Sequence, residues 1–127
     1  MDSVSVRALF SLFSGEDDIQ KYEPIISLAE NETLAMLLPD ADRDDVRLDF
    51  LCASLANARF RQMEAAQDRS RYTYAGKFID SGKGSCLEYA ERMFRDYLGL
   101  CSDLVKPSGF VFFSFPGKED ISDTGST

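Results

Sequence analysis

From Val46 to Asp68 the chain runs without a glycine or a proline, and no other feature constrains the fold as tightly. A stretch of that length supports roughly six helical turns, about 35 Å, which spans a small domain from side to side. Its first half, Phe50 to Ala58, reads FLCASLANA and is apolar or small nearly all the way round. A helix of that kind is enclosed by neighbours on several faces. Its end, RFRQMEAAQDR, carries charge on one side. The pattern predicts a long central helix with other elements packed around it, opened by Asp42 as N-cap with further acids in the first turn.

Two shorter helices precede it. Val6, Leu9, Phe10 and Phe13 share one face of a helix over Val4 to Phe13, and Gly15 suits its C-cap. Glu16, Asp17 and Asp18 then place negative charge ahead of a second helix, where Ile19, Tyr22, Ile26, Ala29, Thr33 and Leu37 recur at three- and four-residue steps up to Pro39. Pro24 either kinks that helix or opens it.

After the central helix, Arg71 to Gly84 (RYTYAGKFIDSGKG) loses helical period and reads as a loop or short hairpin. Ser85 and Glu88 form an S-x-x-E capping box. Leu87, Ala90, Phe94, Tyr97, Cys101 and Leu104 follow as one core-facing stripe, ended by Pro107 and Gly109. Phe110 to Phe115, FVFFSF, reads as a short extended segment, and residues 117 to 127 as a polar, disordered tail. The fold class expected is all-α: one helical domain over residues 1 to 116, a small bundle around the long central helix. Phe50, Leu51, Leu55, Phe94, Tyr97 and Leu98 are expected to pack between the central and last helices.

The chain contains no histidine. That excludes Ser/His/Asp and Cys/His relays and the imidazole ligands of common zinc sites. The longest apolar runs fall far short of the roughly 18 residues that cross a bilayer, and the N-terminus lacks the basic region of a secretory signal. Neither a signal peptide nor a transmembrane segment is expected. Cys52, Cys86 and Cys101 are too widely spaced for a C-x-x-C site, and Cys52 and Cys101 lie on apolar helix faces, as small buried hydrophobes do.

Several patterns mimic sites and fail on spacing. SGKGS resembles a phosphate loop, but Gly76 stands too far from Gly82, and Lys83 is followed by glycine. Asp40, Asp42 and Asp44 open like a calcium loop that then lacks its glycine and its bidentate glutamate. Glu64 and Asp68 share a helix face with arginines nearby, the ordinary setting of surface ion pairs. Cys86 sits near a helix N-terminus, where a thiol can be activated. No catalytic, cofactor-binding or metal-ligating set is expected, and the chain reads as a non-enzyme.

Charge is distributed unevenly. Residues 1 to 58 hold 4 basic and 12 acidic groups, whereas residues 59 to 83 hold 6 basic and 3 acidic. Arg59, Arg61, Arg69, Arg71, Lys77 and Lys83, with Tyr72 and Tyr74 among them, form a local basic edge. A chain of net charge −8 repels a polyanion elsewhere, so sequence-specific nucleic-acid binding is not expected. An acidic body with a basic edge suits contact with copies of itself or with an acidic partner.

The layout resembles a known family. A short leading helix, an acidic helix ending Leu-Leu-Pro, a long helix (LDFLCASLANARFRQ), a Tyr/Gly/Phe loop, the helix SCLEYAERMFRDYLGL and a closing SGFVFFSF are similar to the small head–tail connector proteins of tailed phages and prophages of Gram-positive bacteria. The resemblance covers about residues 5 to 115 and lies in layout, since no motif fixes individual contacts. It implies an all-helical adaptor that docks beneath a portal-like protein as a ring of its own copies and extends the DNA channel. It also implies no cofactor, and residence in the host cytoplasm during assembly and then in the virion. The expected interface residues are Arg71, Tyr72, Tyr74, Lys77, Phe78 and Ile79 of the loop and Phe110, Phe112, Phe113 and Phe115 of the terminal segment. A small helical regulator that binds one protein partner is the alternative from another class, and an enzyme built on carboxylates or Cys86 is a third.

Overall fold

The computed structural model describes residues 1 to 74 and 83 to 107, with side chains at 1 to 67 and 85 to 107. Its elements are α1 (Ser3–Ser14), a 3-10 turn (Ile19–Tyr22), α2 (Glu23–Met36), α3 (Val46–Tyr74) and α4 (Lys83–Leu100). The fold is all-α, with α3 as the central helix against which α1, α2 and α4 all pack.

Local chemistry sets the helix ends. Asp2 caps α1 by accepting from the Val4 amide, and Gly15 ends it in the left-handed region at φ 77°, its amide returning to the Ser11 carbonyl. Pro24 falls in the first turn of α2, where its missing N–H costs nothing, so it opens that helix without kinking it. The acidic run 16–18 heads the 3-10 turn, with α2 starting afterwards at Glu23.

Several boundaries differ from the sequence reading. α2 ends at Met36, not Pro39, because Leu37 turns extended and forms an antiparallel bridge with Val105; Pro39 also disfavours helical backbone at Leu38. Asp42 does not cap α3. It closes a turn, its side chain accepting from the Asp44 amide and its carbonyl from the Asp45 amide. Asp45, next to the helix, accepts from the Arg47 amide. The expected loop at Arg71 is helix through Tyr74, since RSRYTY holds no breaker and its weak helix formers cost only tenths of a kcal/mol each. α4 begins at Lys83, which puts Ser85 inside the first turn and not at the N-cap; an S-x-x-E spacing locates a helix start only to within a residue or two.

Two aromatic clusters flank the central helix. Phe10, Tyr22 and Phe60 meet at centroid distances of 4.9 to 6.1 Å. Phe13, Phe50 and Tyr97 meet at 5.6 to 6.5 Å. Adjacent turns of α1 thus feed both, which fixes its rotation against α3. Between them Leu51, Leu55 and Phe94 are fully buried, with Leu98 close behind. Phe50 and Tyr97 are only half-buried, at the edge of the layer expected to hold them. Cys52 is buried on α3, as its helix face requires, whereas Cys101, expected on a helix face, is buried in the turn that follows α4.

Candidate interaction surface

α3 and α4 run antiparallel. The Arg47 guanidinium reaches the Leu100 carbonyl at 2.8 Å, and the rings of Phe50 and Tyr97 meet 5.6 Å apart. In that register the start of α4 lies level with about residue 64, so α3 continues past it for about ten residues, roughly 15 Å. Arg71, Tyr72 and Tyr74 belong to that extension of the helix backbone. Lys77, Phe78 and Ile79 lie outside the described residues, as do Phe110, Phe112, Phe113, Phe115, the expected hairpin and the polar tail. The two expected contact segments leave from opposite ends of α4, an 18-residue helix about 27 Å long.

Of the basic edge, Arg59 and Arg61 have described side chains, and neither is free. Arg59 pairs with Glu32 of α2 at 2.8 Å. Arg61 pairs with Glu64 at 2.9 Å, donates to the Ser14 carbonyl at 2.7 Å and lies over the Phe60 ring. Both arginines tie α3 to its neighbours and stabilise the bundle, with their side chains mostly covered. The spacing of Glu64 is therefore that of an ion pair within α3.

Several acids on the other elements are likewise engaged. Arg7 of α1 holds Glu23 at 2.7 Å and Glu30 at 2.9 Å, and its hydrogen bond keeps the Glu23 carboxyl below the usual carboxylate range. Arg47 holds Asp45 and Asp103, both at 2.9 Å, and sets the Asp45 pKa at about 2. Among the described residues no group of three Cys, Asp or Glu side chains converges to hold a metal ion. Three buried polar groups serve the backbone: Asp49 accepts from the Asp2 amide, Ser54 donates to the Leu51 carbonyl and Thr33 to the Ala29 carbonyl, whereas the Asn57 Oδ1 is buried without a hydrogen-bond partner among the described residues. Burial pushes the Cys52 thiol up to about 12 and the Cys101 thiol up to about 11, the reverse of an activated nucleophile. Cys86 is exposed.

Two outward helix faces remain, neither of them found by the sequence reading. On α1, Val4 and Leu12 are 76% and 74% exposed, with exposed Ala8 between them. They lie opposite Val6 and Phe10 at i, i+4 and i+8, so a second apolar stripe was present in the spacing. On α2 the exposed residues are Pro24, Ser27, Leu28, Asn31, Leu34 and Ala35, and none carries a charge. Its acids Glu23, Glu30 and Glu32 sit on the flanks of that face, where Arg7 and Arg59 hold them.

Among the described residues no helix is long and apolar enough to cross a membrane. In comparison with known proteins, the chain matches no family model, no curated protein and no solved structure.

Proposed function

We propose that the chain is a non-catalytic structural adaptor of the head–tail connector kind, which docks on a portal-like protein together with copies of itself and extends its channel. The observation that carries the reading is the outer stripe of α1. Val4, Ala8 and Leu12 point to water from a helix whose opposite face already supplies the core. An apolar stripe on an ordered helix loses little conformational entropy on docking, which favours a protein partner. The loop residues Arg71 to Ile79 add further contacts in this reading. A portal-like partner is taken from the resemblance of the sequence layout to small connector proteins.

The test is capture by a purified portal protein encoded beside this chain. Wild type should be retained, and Val4→Asp with Leu12→Asp should reduce retention at least tenfold while far-UV circular dichroism stays unchanged. Equal retention of the folded double variant would remove α1 from the interface. No retention of wild type would overturn the connector reading and favour a regulator with a single different partner.

A further inference from the structure

The uncharged face of α2 has an occupant within reach. After α4 the chain turns and lies antiparallel to the extended residues that follow α2: Leu38 donates to the Leu104 carbonyl at 2.9 Å, Lys106 donates to the Met36 carbonyl at 2.8 Å, and the Lys106 ammonium rests on the Ala35 carbonyl at 3.3 Å. Residues 104 and 106 therefore pair with 38 and 36, and the described chain ends in a turn at Pro107, one residue past the contact of Lys106 with the C-terminal end of α2. From that end the outward face of α2 runs back through Ala35, Leu34, Asn31, Leu28 and Pro24. From Ala35 to Pro24 the helix rises about 16 Å, and residues 108 to 115 extended cover about 26 Å. The sequence that follows Pro107 is SGFVFFSF, with four phenylalanines and no charge.

We propose that the terminal segment Phe110 to Phe115 docks on the outward face of α2 of its own chain, with phenylalanines against Leu34, Leu28 and Pro24. Three observations converge on it: the attachment of the chain beside the end of α2 through the Leu37–Val105 bridge, the length available, and an uncharged strip in a chain of net charge −8. Arg7 and Arg59 keep that strip approachable by drawing Glu23, Glu30 and Glu32 to its sides. Leu28 and Leu34, 53% and 39% exposed, are the side chains it covers. The proposal does not rest on the connector reading, since the contact forms within one chain.

The chain has no tryptophan, so Phe112→Trp in the full-length protein gives a single fluorescent reporter, with Phe110→Trp as an independent second position. The expected result is blue-shifted emission that is independent of protein concentration and moves toward that of water-exposed indole when Leu28→Asp and Leu34→Asp are added, with helicity unchanged. Water-like emission from both reporters in the folded protein would overturn the proposal. So would a blue shift unaffected by the α2 substitutions, which would place the segment elsewhere, or one that appears only as concentration rises, which would assign the face to a second copy. None of these outcomes bears on capture by a portal protein.

Discussion

The Arg47 guanidinium donates to the Leu100 carbonyl at 2.8 Å, so the first turn of the central helix closes the open end of the last one. The final carbonyls of a helix have no intrahelical donor and carry the negative end of its dipole. The same guanidinium holds Asp45 and Asp103, and one planar fork thereby joins three elements of backbone. Arg47→Ala should lower the urea midpoint, and Arg47→Lys should recover it only in part, because a single ammonium does not reproduce the fork. An unchanged midpoint in Arg47→Ala would show that the junction adds nothing to stability.

Acid should weaken the fold over a defined window. Hydrogen bonds from Arg47 hold Asp45 at about 2 and Asp103 below its ordinary value; Arg7 does the same for Glu23, and the Ser5 hydroxyl for Asp2. Each group is more acidic folded than unfolded, so the unfolded chain takes up protons first as pH drops. The stabilisation is complete above the ordinary carboxylate range near pH 4 and is lost as pH falls toward 2. Urea midpoints measured from pH 6 down to pH 2 should decline there, less steeply in Arg47→Ala. A flat profile in both proteins would refute the assignment.

Leu55→Ala should cost about 2–5 kcal/mol. Leu55 is fully buried on α3 in the layer with Leu51 and Phe94, and a truncated side chain there leaves a cavity that helices on several sides cannot collapse into. A loss below about half a kcal/mol in urea unfolding, within the range of a surface substitution, would move Leu55 out of the core.

The core was legible because burial repeats with the helix period: Val6 with Phe10, Leu51 with Leu55, and Phe94 with Leu98 each lie four residues apart, and all are buried. The helix ends were less so. Ser85 and Asp42 each carry a cap signal, yet Lys83 and Val46 begin the helices, because neighbouring polar residues compete for the same free amides within one turn. The interaction surface was hardest to read. Whether an arginine such as Arg59 is free or bound depends on Glu32, 27 residues away, and local pattern does not encode that pairing. Val4 and Leu28 look like core residues by composition and are outward only because Val6 and Ile26 take the inner positions.

Gly15 stands at φ 77° with open space where a Cβ would be. A side chain there meets no neighbour, so the cost of substitution is that of the left-handed backbone alone. Gly15→Ala should destabilise by about 1 kcal/mol. Gly15→Asn should cost less, since asparagine tolerates this region through local hydrogen bonding. Equal stability of all three proteins in urea would mean that α1 ends in another conformation in solution.

The thiols should separate by reactivity. Burial raises Cys52 to about 12 and Cys101 to about 11, and the thiolate is the species that attacks an aromatic disulfide reagent. At pH 8 the folded protein should therefore release one equivalent, from exposed Cys86, and all three thiols should react in guanidinium. Cys86→Ser should abolish the fast reaction and leave the two protected groups. The same burial has a stability consequence of opposite sign to that of the acids. Thiols in the unfolded chain ionise near 9 while the folded ones stay neutral, so this contribution is complete below pH 9 and is lost as pH rises toward 12. Rapid reaction of all three thiols in the folded protein at pH 8 would show that the face of α3 bearing Cys52 and the turn after α4 bearing Cys101 open readily to solvent, and that the α3–α4 hairpin is looser than its packing requires.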